Sequence, residues 1–146
     1  MDKMQVVLGV IGSDCHAVGN KILDRFFSDN GYSVTNLGVM VSQDEFIDAA
    51  IETGAEAILV SSLYGHAEID CEGFRERCIE RGLDPIVLYI GGNLVVGKND
   101  RAIVEKQFLD MGFDRVFVPP NTELIDQAEI LQEDILKNRD LSTRAI

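Results

Sequence analysis

At 146 residues, 46% of them hydrophobic and 26% charged, the chain is long enough for one domain with a sizeable core and too apolar to be disordered. Its 25 acidic and 13 basic side chains leave a formal charge of −12, which argues against a nucleic-acid surface and against an anionic membrane. No apolar run approaches the roughly 20 residues of a bilayer span, "MDKMQ" has no secretory pattern, and three cysteines make no even disulfide framework. A cytoplasmic protein is expected.

Strand and helix patterns then alternate along the chain. "QVVLGVI" reads as a buried strand, and residues 17–30 as a helix with Val18, Ile22 and Phe26 on one face, stopped by Gly31. "YSVTNLG" is a second strand. Ser42 and Glu45 form a capping box that opens the helix "QDEFIDAAIETG". "AEAILVSS" is a third strand, followed by a helix over 68–81 on which Cys71, Phe74 and Cys78 fall at i, i+3, i+7. That spacing reads as a buried stripe before it reads as a metal site.

"PIVLYI" is a fourth strand running into "GGNLVVGK", residues 100–111 a helix, and "RVFV" a short fifth strand. After Pro119 and Pro120, Asn121 can cap a last helix with Leu124, Ala128, Leu131 and Ile135 on one face. Residues 137–146 read as a frayed tail of a single domain covering 1–146.

Strands that each lead into a helix predict an α/β fold, a doubly wound five-stranded parallel sheet with helices on both faces. The strand order 2-1-3-4-5 makes it flavodoxin-like, or more broadly Rossmann-like. Ligands in such sheets bind beyond the carboxyl ends of the strands, at the switch point between strands 1 and 3. The loops gathered there are 12–17, 61–66 and 91–98.

Those loops admit several chemistries. Residues 92–98 match G-x-x-x-x-G-K, but Asn99 stands where a hydroxyl should hold magnesium, and Leu-Val-Val leaves little room for a phosphate. A zinc site from Asp14, Cys15, His16 and His66 has poor spacing, because adjacent side chains diverge. Asp14 and His16, two apart, can point the same way. The carboxylate would accept a proton from one imidazole nitrogen and leave the other free as a metal ligand. One protein ligand suits a metal whose other positions a cofactor already fills. An exposed histidine at a helix start is the plain alternative.

Asp14-Cys-His16-Ala-Val-Gly19 resembles the D-x-H-x-x-G motif of cobalamin-binding domains, Ser61-Ser62-Leu63 their S-x-L element, and Gly91-Gly92 their paired glycines. The three come in family order, each after the expected strand. The wording "SDCHAVGNKIL", "SSLYGHAEID" and "IGGNLVVGK" is most similar to the small subunits of glutamate mutase.

The resemblance implies adenosylcobalamin bound base-off, with His16 as lower axial ligand of cobalt and Asp14 its hydrogen-bond partner. The displaced nucleotide tail would enter a slot beside the sheet. Ser13, Cys15, Ala17 and Gly19 would surround the ligand segment. Ser61, Ser62 and Leu63, with Gly91, Gly92, Asn93, Leu94, Val95, Val96 and Gly97, would line the slot.

Methyl-carrying corrinoid proteins and light sensors of this kind add a helical cap, for which this chain, with its ligand already at position 16, leaves no room. Coenzyme-A mutases typically read "DGHDRG" where this chain has "DCHAVG". The expected activity is therefore the radical rearrangement of L-glutamate to threo-3-methyl-L-aspartate. No catalytic residue is expected in this chain. A large barrel subunit would hold substrate, in a heterotetramer of two small and two large subunits. The other readings are the small subunit of another mutase, or a non-enzymatic flavodoxin- or receiver-like binding module.

Overall fold

In the computed structural model, which describes residues 3–12, 17–62, 67–92, 94, 101–117 and 124–144, the expected alternation of strands and helices is realised. The strands are β1 (Met4–Val10), β2 (Tyr32–Asn36), β3 (Ala57–Ser62), β4 (Val87–Gly92) and β5 (Arg115–Phe117). They form one sheet, all parallel, in the expected order β2-β1-β3-β4-β5. The helices are α1 (Val18–Asp29), α2 (Gln43–Thr53), α3 (Ala67–Asp70), α4 (Phe74–Glu80), α5 (Arg101–Asp110) and α6 (Leu124–Arg144).

The central strands are apolar at almost every position because both faces are covered. Alternate residues therefore feed two cores. Val7, Ile58, Val60, Leu88 and Ile90 pack with Phe46 of α2, Phe74 of α4 and Phe108 of α5. Val6, Leu8, Ala57, Leu59, Val87 and Tyr89 pack with Phe27 of α1 and with Ala128, Leu131 and Ile135 of α6. The capping box forms as the spacing predicts: Glu45 N–H donates to Ser42 Oγ at 3.1 Å and Ser42 N–H to Glu45 Oε1 at 3.2 Å.

Three local readings change. The α1 face turned to the sheet is Asn20, Leu23, Phe26 and Phe27, so Phe26 lies on it as expected while Val18 and Ile22 do not. Phe27 meets Tyr32 edge-to-face at 5.5 Å and rotates Val18 and Ile22 outward. The helix expected over 68–81 is split by Gly73, whose φ of 74° ends α3 and starts α4. Gln43 Nε2 takes up the carbonyls freed there, donating to Asp70 O at 2.8 Å and Glu72 O at 2.9 Å. Cys71, Phe74 and Cys78 are buried in the core nonetheless. Burial pushes the Cys78 thiol up to about 11 and raises Cys71 as well, so neither offers a thiolate at neutral pH.

The third change is at the carboxyl end. α6 runs to Arg144, through the stretch expected to fray. Arg139 anchors it by a two-pronged pair to Glu56, at 2.5 and 2.6 Å. Its middle is held by Asp134, which accepts from Arg115 Nε at 2.7 Å and from the Tyr89 hydroxyl. Asn121 and residues 145–146 lie outside the described residues.

Burial works to raise the Asp134 carboxyl, but hydrogen bonds from Arg115 and Tyr89 win and hold it below the ordinary carboxylate range. A carboxyl lowered by folding stabilises the fold above its unfolded pKa, near 4, and loses that contribution as pH falls through the folded value. Asp134→Asn is expected to be about 1–3 kcal/mol less stable at pH 7, with the difference closing as pH falls below about 4. Thermal melts of both forms across pH 3–7 check this, and a pH-independent gap would contradict it.

Candidate functional site

Parallel pairing fixes which residues stand side by side at the carboxyl edge. Val10 pairs with Ser61, Ser61 with Gly91, and Gly91 with Phe117, giving one row across four strands. By alternation this row faces α1 and α6, continuing Leu8, Leu59 and Tyr89. Its two middle members carry only a hydroxymethyl group and a hydrogen. The row is therefore a trough, walled by Val10 on one side and by Phe117 on the other. Phe117 is braced by Tyr89, ring centroids 5.3 Å apart.

The two glycines have different jobs. A Cβ on Gly91 would meet Phe117 O at 3.3 Å and Phe117 Cβ at 3.4 Å, close but tolerable. Gly92 points to the opposite face with φ 121°, and a Cβ there would stand 2.1 Å from the Ser62 carbonyl oxygen. Gly92 is required by the approach of β4 to β3; Gly91 is what leaves the trough open. Leu94 is buried with the α2–α5 core, on the face away from Ser61 and Gly91, and its N–H donates to Gly92 O at 3.1 Å.

Ser61 is 8% exposed and Ser62 fully buried. Ala17 precedes α1 without any side-chain cap, and among the described residues nothing lies within 4 Å of a Cβ on Gly19. Ser13, Asp14, Cys15 and His16 lie outside the described residues, as do Leu63, His66, Asn93, Val95, Val96, Gly97 and Lys98. In sequence they follow β1, β3 and β4.

One polar cluster was missed from sequence. Asn20, 3% exposed in α1, donates from Nδ2 to Asn36 Oδ1 at 2.7 Å. Asn36 donates to Asp24 Oδ2 at 2.9 Å, and Gly38 N–H donates to Asn36 Oδ1 at 2.9 Å. The signal was the i, i+3, i+7 spacing of Asn20, Leu23 and Phe27, which puts an amide on the inward stripe. Among the described residues, the buried side-chain polar atoms without a partner are Asn20 Oδ1, Gln43 Oε1 and Ser62 Oγ. They sit in the first turn of α1, the first turn of α2 and the end of β3. Every one is at the carboxyl edge. Buried orphans of this kind are rare and call for a donor.

Residues 4–129 match the family model described as B12 binding domain. The chain is 63% identical over 146 residues to a glutamate mutase sigma subunit of Escherichia coli O157:H7, covering 100% of this chain and 97% of that one. It is 60% identical over 135 residues to a glutamate mutase sigma subunit of Yersinia enterocolitica serotype O:8, covering 92% and 90%. Among solved structures, a cobalamin-binding protein from Desulfitobacterium hafniense superposes with a TM-score of 0.71 at 23% identity. That match spans 90% of this chain and 59% of the other, and shows a shared fold.

The division of labour between the glycines is measurable. Gly91→Ala is expected to melt near the wild-type temperature, whereas Gly92→Ala combines a clash with backbone strain of about 1–3 kcal/mol and melts well below it. Equal melting temperatures for the two variants would contradict this geometry.

Proposed function

The chain belongs to the B12 binding domains and, within them, to the sigma subunits of glutamate mutase; on that premise we propose that it holds adenosylcobalamin base-off over the carboxyl edge of its sheet, with His16 beneath the cobalt. It is the cobalamin-binding subunit of a cobalamin-dependent isomerase. The observation that carries the proposal is the row Val10–Ser61–Gly91–Phe117, a trough floored by two small residues at the carboxyl edge of the sheet.

The residues fit such a group. A cofactor fringed with amides and ending in a hydroxylated nucleotide is rich in N–H and O–H donors. On the face of the trough the fold supplies a buried atom able to accept one of them, Asn20 Oδ1. When bound, the cofactor supplies a weak cobalt–carbon bond whose homolysis starts the rearrangement of L-glutamate to threo-3-methyl-L-aspartate.

The chain's own residues bind and orient. His16 presents one imidazole nitrogen to the metal. Asp14 would accept a hydrogen bond from the other ring N–H, fixing the tautomer and raising the ring's basicity. Ser61 and Gly91 floor the slot for the nucleotide tail, and Gly19 leaves space beside the first turn of α1.

Substrate contacts fall to the large barrel subunit, two of which assemble with two of these chains. Among the described residues, the large hydrophobic side chains most open to solvent are Val18 and Ile69 (74%), Ile103 (61%) and Met40 (60%). They lie in the first turns of α1, α3 and α5 and in the loop after β2, a ring around the trough. An apolar rim on the ligand edge is what a covering subunit needs. Cys71 and Cys78, free and buried, suit a reducing cytoplasm.

His16→Ala is expected to bind cobalamin weakly and to give almost no turnover with the large subunit, read from the cobalamin spectrum and from methylaspartate formation. Near-normal turnover would defeat the axial-ligand assignment. Asp14→Asn should be milder, about 10–100-fold. Separately, the double variant Ile69→Asp/Ile103→Asp should weaken association with the large subunit by about tenfold or more, while cobalamin affinity of the chain alone holds steady. Unchanged association would remove the rim from the interface.

A further inference from the structure

The amide cluster at α1 leaves one atom unexplained. Asn36 cannot turn over: its Oδ1 takes the Gly38 N–H at 2.9 Å, and its Nδ2 donates to the Asp24 carboxylate at 2.9 Å. Asn20 must therefore offer Nδ2 to Asn36 Oδ1, at 2.7 Å, which leaves its own Oδ1 over. That oxygen is out of water and has no donor among the described residues.

Holding α1 to the sheet does not require it. A leucine at position 20 would extend the Leu23–Phe27 stripe without burying an unpaired acceptor, and apolar replacement at such sites is often neutral or stabilising. The fold thus carries the desolvation penalty of an amide oxygen for which it has no internal use.

Resting on the reading above, we infer that Asn20 Oδ1 accepts a hydrogen bond from the nucleotide tail of cobalamin, from a ribose hydroxyl or the linker amide N–H. Depth selects the tail over the corrin ring. Asn36, the partner of Asn20, pairs with Leu8, and that row continues through Leu59 to Tyr89. It lies two residues inside the Val10–Ser61–Gly91 row, about 7 Å further down the sheet. A flat macrocycle lying across the edge stays above that level, and only a pendant chain entering between α1 and the sheet descends to it. Beside Asn20, a Cβ on Gly19 would meet nothing within 4 Å among the described residues.

The test compares wild type, Asn20→Ala and Asn36→Ala. Each full-length chain is melted without cofactor, then titrated in the presence of the large subunit with cobalamin and with cobinamide, which lacks the nucleotide. Asn20→Ala is expected to bind cobalamin about tenfold more weakly, the size of one lost hydrogen bond, and to bind cobinamide like wild type. Its cofactor-free melting should stay close to wild type. Asn36→Ala, which breaks the bonds to Asp24, Gly38 and Asn20 Nδ2 but keeps the Asn20 side chain and its oxygen, should melt lower and lose less affinity.

Cobalamin affinity unchanged in Asn20→Ala would overturn the inference. So would affinities that simply follow melting temperature across the two variants, which is the mark of a structural role. Equal losses on cobalamin and cobinamide would overturn the assignment to the tail. A wild-type chain that binds neither compound would overturn the cobalamin reading itself, whereas intact wild-type binding with an indifferent Asn20→Ala removes only this residue's part.

Discussion

Parallel pairing from β2 through β5 means that each strand is entered from the same end, so the chain must be carried back by a helix every time. Two consequences follow from that constraint. Both faces of the sheet are covered, which is why β1, β3 and β4 are apolar at almost every position and split into two cores. All strand-to-helix turns fall on one edge, which is why residues far apart in sequence, such as Val10, Ser61 and Gly91, meet there. The order β2-β1-β3 reverses direction at β1, the switch point of the sheet.

Stabilising polar contacts are distributed unevenly around this frame. Away from the carboxyl edge, charges are matched. Arg75 donates to Gly112 O, to Ile86 O and to Asp114, and Asp114 in turn accepts from Leu88 N–H. Asp134 gathers Arg115 and Tyr89, and Arg139 grips Glu56. At the carboxyl edge the pattern inverts: α1 starts without a cap, and buried polar atoms lack partners. A fold stabilised at one end can tolerate an under-bonded site at the other.

Much of this was legible beforehand, for reasons that differ by element. Strand order and the capping box follow from hydrophobic period and from the fixed reach of Ser and Glu side chains, both local. The loops carrying the motifs could be placed on one edge because parallel topology admits no other arrangement. The orientation of α1 was not legible, since Val18-Ile22-Phe26 and Asn20-Leu23-Phe27 are both regular stripes, and only the ring contact of Phe27 with Tyr32 selects the second. The separate roles of Gly91 and Gly92 also escape sequence, because adjacent residues on a strand face opposite ways. The same alternation puts Leu94 in the α2–α5 core and not beside Ser61.

The walls of the trough differ in compliance. On the β5 side, Phe117 meets Tyr89 edge-to-face, and the Tyr89 hydroxyl donates to Asp134 of α6, the carboxylate that Arg115 of β5 also grips. On the α1 side stand an uncapped first turn, a glycine with empty space around it, and apolar side chains turned to solvent. A guest wider than the trough therefore displaces the helix and leaves the β5 wall where it is. The sheet acts as the reference surface for the guest's position, and the work of accommodating different tails is concentrated in the first turns of a single helix.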